Sequence, residues 1–198
     1  IGANGAFYRM DEPSIQNKIL TSYFAERDKY KTLMKKYGKE GDQVKYKEYE
    51  LLQFTMKILL NSFYGAQGLS SFRFFDLDNA ECTTTTGQEV IKASAEYGSE
   101  IYNKDLGTKD KNWCLYSDTD SLYFSCLPLV KKRFPNINTN NDEEMSRVII
   151  NIADEIQKYI NKCYGHYSKH YHNMDTHFFE IKQEVIAKSC LFRAKRRY

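Results

Sequence analysis

The 198-residue chain is long enough for one sizeable core, or a core plus an appendage, so a single domain with a protruding subdomain is the default expectation. Hydrophobic residues at 41% and charged residues at 28% place it in the ordinary soluble range, and no apolar run approaches the roughly 20 residues that span a bilayer, which argues against a membrane role. A formal net charge of +3 is too mild to identify a nucleic-acid binder, but the cations cluster, at Lys29, Lys31, Lys35, Lys36 and Lys39 and again at Arg193, Lys195, Arg196 and Arg197.

Residues 1–10 read as a short extended or turn segment, after which Asp11, Glu12, Pro13 and Ser14 supply acidic first-turn residues, a proline and a cap for a helix. From 15 to about 37 the apolar positions Ile15, Ile19, Tyr23 and Tyr30 follow helical spacing and leave Arg27 and Lys31 one turn apart on one face. Residues 38–41 break the pattern, and a second helix runs over about 43–61, so the first 65 residues predict an antiparallel helical hairpin. A loop at 65–68 and its serine-rich continuation lead to a third helix over 83–102, whose start is blurred by four consecutive threonines. Residues 113–126 predict two short strands around a polar turn. A polar stretch at 134–141 precedes a helix over 142–163, marked by Val148, Ile152, Ile156 and Ile160. Residues 178–187 and 190–198 read as two further strands, and the mixture implies an α+β layer structure with helices packed on one face of a small antiparallel sheet.

The polar turn is the most informative feature. Asp118 and Asp120 lie two residues apart, where a tight turn lets both carboxylates converge instead of pointing to opposite faces. Like charges held together between apolar strands need a cation, and hard carboxylate oxygens favour Mg²⁺ or Mn²⁺. A bare Asp-x-Asp is most often a solvated turn, and it is the flanking strands that move the odds. The full run Tyr116-Ser117-Asp118-Thr119-Asp120-Ser121 resembles the YGDTDS signature of family B DNA polymerases, with Ser117 where that family usually has glycine. The resemblance implies that Asp118 and Asp120 are catalytic and help hold two Mg²⁺ ions, with Mn²⁺ as a substitute.

Lys57, Asn61 and Tyr64 fall at i, i+4 and i+7, on one helical face, with a cation, an amide and an aromatic ring suited to phosphate and base contacts. Residues 57–65, KILLNSFYG, are similar to the family's KxxxNSxYG motif. That similarity implies contacts from Lys57 and Asn61 to an incoming triphosphate, with Tyr64 and Gly65 beside the nascent base pair. Arg27 and Lys31 match the family's paired basic residues on the preceding helix, which reach the same phosphates. At the C-terminus, Lys195, Arg196, Arg197 and Tyr198 resemble a KKRY-like motif that contacts the primer strand, and Glu184 matches an acidic position near the metal centre, in a supporting role.

The resemblance therefore predicts a 1–13 N-terminal palm or linker segment, a 14–65 fingers hairpin and a 66–198 palm. Its implied substrates are primer–template DNA and deoxynucleoside triphosphates, its partners a sliding clamp or other replication proteins, and its closest likeness is to phage- or virus-type replicative members. The DxxSLYP motif, which brings a further metal aspartate, occurs nowhere in the chain, and neither an exonuclease nor a thumb region is present. The chain opens Ile1-Gly2-Ala3-Asn4 without an initiator methionine and closes on the basic cluster, so both ends read as cuts and the piece alone is expected to be inactive. Five cysteines with no CxxC pair suggest a reduced, intracellular setting without structural zinc, the cytoplasm of a host cell for a phage or viral protein. Two other classes compete: a degenerate palm that grips nucleic acid without chemistry, and a palm-like nucleotidyl cyclase or other metal-dependent phosphotransferase.

Overall fold

Isoleucines every fourth residue can share a dry neighbour only if the chain is helical, and the C-terminal half of the protein is organised around that stripe. In the computed structural model, which describes residues 1–9 and 11–192, the elements run α1 (Ile15–Glu40), α2 (Gln43–Gln67), α3 (Leu77–Leu106), β1 (Cys114–Asp118), β2 (Ser121–Phe124), α4 (Leu127–Arg133) and α5 (Asp142–His172). Helices with one two-stranded antiparallel sheet make this an α+β protein. Contacts divide the chain into two units, residues 4–83 and residues 84–198 joined by 1–3.

In the larger unit, Ile152, Ile156 and Ile160 of α5 are buried against Ile101 and Tyr102 of α3 and Leu129 and Val130 of α4. The start of α5 is fixed by Asn141, whose side chain accepts from the Glu144 amide at 3.3 Å, and by three acidic residues in the first turn that complement the helix dipole. Its end lies nine residues beyond the expected Cys163, because Tyr164, Tyr167 and Ser168 carry the buried stripe onward until Asn173 turns left-handed (φ 53°). Ser94 of α3 and Tyr164 share a hydrogen bond of 2.7 Å inside this layer. Helix α4 was not anticipated; Pro128 starts it, and Leu129 and Val130 are fully buried. Arg133 at its end bonds both Asp105 of α3 and Glu155 of α5, so one guanidinium ties three helices. Glu155 and then Asp105 raise its pKa further, against the opposing effect of desolvation.

In the smaller unit, α1 and α2 pack antiparallel. Ser14 caps α1 by accepting from the Asn17 amide at 3.1 Å, and Gly41 ends it with a left-handed φ of 79° that a side chain would strain. Asp42 then caps α2 through the Lys45 amide at 3.1 Å. Between the helices, Tyr37 stacks on Tyr49 with centroids 5.5 Å apart, and Lys45 lies 4.8 Å over the Tyr37 ring. No residue of α1 is buried, so the pair is held by this aromatic seam and its caps. Helix α2 runs on to Gln67, six residues past the expected end, so Gly65 is helical and not part of a loop. Helix α3 starts six residues before the threonines, where Asp76 accepts from the Asn79 amide at 3.1 Å. Thr83 fits the helix by donating to the Asn79 carbonyl at 2.9 Å.

The expected strand at 178–187 is a correction, and of the strand expected at 190–198 only residues 190–192 are described. Residues 178–192 join no sheet, because their hydrogen bonds go to side chains of α5, as when the Asn161 amide donates to the Ile181 carbonyl at 2.9 Å. Residues 193–198 lie outside the described residues.

Burial raises the phenol pKa values of Tyr102, Tyr164 and Tyr167, in the last case to about 12 with Glu89 adding to the effect. The native state thus keeps protons that the unfolded chain releases near pH 10, so this contribution is complete below about pH 10 and is lost as pH rises toward 12. Thermal midpoints measured between pH 8 and 12 should fall steeply above pH 10, and Tyr102→Phe should flatten the fall. A midpoint that stays level through pH 11.5 would contradict the buried-phenol account.

Candidate active site

The acidic hairpin is positioned from below by α3. Tyr102, fully buried, stacks with both Trp113 at 5.5 Å and Phe124 at 5.7 Å, so the residue before β1 and the last residue of β2 grip the same ring. Phe124 approaches so closely because position 98 is glycine: a Cβ there would stand 2.6 Å from Phe124 Cζ. The Trp113 amide donates to Ser99 Oγ at 2.9 Å, and its indole N–H donates to Asn103 Oδ1 at 3.0 Å. Both partners also lie on α3, which fixes the hairpin's entry point.

The register Tyr116↔Tyr123, Ser117↔Leu122 and Asp118↔Ser121 leaves Thr119 and Asp120 as a two-residue turn. A bulge between Cys114 and Tyr116 precedes it. Thr119 has φ 49°, a left-handed conformation that is costly for a β-branched residue, and the Asp120 amide donates back to the Asp118 carbonyl at 2.6 Å. Strain of this kind persists only where the surroundings over-determine it, and here it bends the chain so that Asp118 and Asp120 share the tip. Asp118 is half-buried and Asp120 exposed. Thr119 Oγ1 donates to Asp118 Oδ1 at 3.2 Å, and neither carboxylate forms an ion pair among the described residues.

Two carboxylates at an accessible tip fit Mg²⁺, which binds through one or two carboxylates and completes its octahedron with water and phosphate oxygens. Among the described residues no group of three or more His, Cys, Asp or Glu side chains is arranged to hold a metal ion, and Glu184 is exposed.

In the smaller unit, Lys57, Asn61 and Tyr64 are all exposed on α2, while Leu60 on another face is buried. At about 100° per residue the three side chains share an arc of roughly 60°. Arg27 and Lys31 are half-buried one turn apart on α1, and Arg27 Nε is buried without a hydrogen-bond partner. Gly38 packs on the Tyr46 ring, and Arg27 and Lys57 each lie eleven residues further from the turn. The antiparallel register therefore brings Arg27 to the level of Lys57. Gly65 is exposed in the same helix, whereas Lys195, Arg196, Arg197 and Tyr198 lie outside the described residues.

Two residues that matter to this geometry carried no sequence signal of function. Gly98 is one of two glycines within a helical pattern, and Phe192 is an aromatic in a presumed strand. Phe192 in fact stacks on Tyr116 at 4.6 Å and meets Tyr123 edge-on at 5.3 Å, beside the acidic turn.

Carboxylates suited to a hard cation lie on one unit of this α+β protein, and a lysine–amide–aromatic face lies on the other. The chain belongs to DNA polymerase family B, whose sequence profile matches residues 4–198. It is 40% identical over 80 residues to the DNA-directed DNA polymerase of Escherichia phage RB69, covering 40% of this chain and 9% of that protein. Over longer stretches it is 27% identical to the DNA polymerase of Archaeoglobus fulgidus, covering 84% of this chain and 19% of the relative. It is also 26% identical to the mouse DNA polymerase alpha catalytic subunit, covering 96% and 11%. The chain thus spans under a fifth of the length of these relatives.

Because the Gly98 contact sets the height of the hairpin, Gly98→Ala should destabilise the larger unit by about 1–3 kcal/mol, the usual cost of overpacking. Denaturation followed through Trp113, the protein's single tryptophan, reports it directly. Pairing Gly98→Ala with Phe124→Leu should recover part of the loss, and a strictly additive double variant would rule out the contact as the cause.

Proposed function

We propose that this chain supplies the metal-binding hairpin and the nucleotide-contacting helices of a template-directed DNA polymerase, acting in DNA replication in a phage or viral setting. The observation that carries the proposal is the strained two-residue turn presenting Asp118 and Asp120, in a chain matched by the family B profile over residues 4–198. On this reading residues 14–65 are the fingers and residues 66–198 the palm, with residues 1–13 leading into them. The substrates are deoxynucleoside triphosphates and primer–template DNA. A sliding clamp or other replication proteins would engage regions outside this chain, and the setting is intracellular, the host cytoplasm for a phage or virus. Among the described residues no helix is long and apolar enough to cross a membrane.

The reaction is attack of a primer 3′ hydroxyl oxygen on the α-phosphorus, forming one P–O bond while the bond to the departing pyrophosphate breaks. Bound Mg²⁺, or Mn²⁺ in its place, would activate the nucleophile and neutralise charge on the leaving oxygens. Asp118 and Asp120 would hold that cation, and the mount on Tyr102 keeps the hairpin that bears them in place without reorganisation. Lys57 neutralises the triphosphate, Asn61 donates hydrogen bonds to it, and Arg27 and Lys31 approach it from α1. Tyr64 and Gly65 lie beside the nascent pair. Lys195, Arg196, Arg197 and Tyr198 grip the primer strand, and Glu184 has a supporting acidic role.

In the polypeptide that carries this chain, Asp118→Ala or Asp120→Ala should lower kcat at least about a thousandfold, equivalent to roughly 4 kcal/mol of transition-state stabilisation. Lys57→Ala should chiefly raise KM for the nucleotide, by about ten- to a hundredfold, as expected for a lost charge-assisted contact. Unimpaired primer extension by Asp118→Ala would sink the proposal. Salt-dependent DNA binding with no incorporation by the unaltered polypeptide would point to a binding module, and incorporation independent of template to another phosphotransferase.

A further inference from the structure

Residues 178–192 form an arm laid along α5. Phe179 packs on Tyr164 and Tyr167 with centroids 6.0 and 6.3 Å apart. Asn161 then bonds both backbone groups of Ile181, donating to its carbonyl at 2.9 Å and accepting from its amide at 2.8 Å, and Gln157 accepts from the Gln183 amide at 2.6 Å. Four residues of helix advance about 6 Å and two residues of extended chain about 6.6 Å, so carboxamides four apart on α5 can serve alternate arm residues as a neighbouring strand would. Further on, Lys188 pairs with Asp142 at 2.9 Å, but both groups are largely exposed and the pair is weak. The arm's last described residue, Phe192, is seated on Tyr116 and Tyr123, whose strands lead into the turn bearing Asp118 and Asp120.

We infer that Phe192 is a positioning residue, seating the described end of the arm on the acidic hairpin, three residues in sequence before the 195–198 run that the polymerase reading assigns to the primer strand. The inference rests on the polymerase reading above. Magnitudes decide which anchor governs. Freeing the Asn161 and Gln157 clamps lengthens the tether that delivers Phe192 from nine residues, counted from Gln183, to thirteen, counted from Phe179, which changes docking only about twofold. Removing the Phe192 ring deletes two aromatic contacts at once and is worth about tenfold. The clamps bound where the arm can go, and the ring fixes where it ends.

The test uses the polymerase that carries this chain. Phe192→Ala should raise the Kd for primer–template about tenfold, with KM for the nucleotide changed less than about twofold. Phe192→Tyr, which keeps the stacking surface, should behave as the unaltered protein. An unchanged primer–template Kd in Phe192→Ala, or a Phe192→Tyr variant as impaired as Phe192→Ala, overturns the inference. Should Phe192→Ala fail to fold, the double variant Asn161→Leu with Gln157→Leu, which frees both clamps, serves. It should speed amide exchange at Ile181 and Gln183 and raise the primer–template Kd about twofold, and faster exchange with an unmoved Kd overturns the inference as well. Asp118→Asn, run alongside, separates the two readings: persistent incorporation in that variant refutes the polymerase assignment, whatever Phe192 does.

Discussion

Everything functional in the larger unit hangs on one buried ring. Tyr102 stacks with both Trp113 and Phe124, and the absence of a side chain at Gly98 lets Phe124 come down onto α3. A two-stranded hairpin has too little interface to be stable by itself, so its orientation must be borrowed from what it packs on. Here the loan comes from α3, and α3 is in turn braced by the isoleucine stripe of α5, the buried Ser94–Tyr164 bond and the Arg133 junction. The strained turn at Thr119 is tolerable because both strands leaving it are tied down this firmly.

The smaller unit follows a different logic. Its two long helices bury very little, only Leu60 and Gln67 on α2 and nothing on α1, and rely on caps, the Tyr37–Tyr49 stack and lysines resting on tyrosine faces. Such a pair leaves most of its surface in water, where charged and polar side chains stay available. Lys57, Asn61 and Tyr64 are exposed for that reason, and Arg27, level with them, keeps an unsatisfied Nε within the fold. A helix pair assembled this way keeps its charged and polar side chains outside its own core.

How much of this could be read in advance depended on whether the signal was local. The turn carboxylates were legible because spacing, turn chemistry and flanking β-formers sit within eleven residues. The helices α1, α2 and α5 were legible from periodicity, although α5 outran its isoleucines because tyrosines continued the stripe. The arm was misread. Phe179 and Ile181 are half-buried between the exposed Phe178, Glu180 and Lys182, which is the alternation of a strand, but the hydrogen-bonding neighbour is a helix bearing amides. Period-two burial reports one sheltered face and says nothing about what supplies the backbone partners. Gly98 and Phe192 were invisible for the same reason, since each matters through a residue distant in sequence.

The pairing of arm and helix also carries a built-in limit. Four helical residues and two extended residues differ by about 0.6 Å, so like the two scales of a vernier they align at one place and drift apart with every further step. The next position on the α5 stripe after Asn161 and Gln157 is Ala153, which has no amide to offer, and beyond Gln183 only the exposed Lys188–Asp142 pair ties the arm to α5 among the bonds described. The chain is thus released from its track at the point where its remaining length has to leave the helix and reach the hairpin.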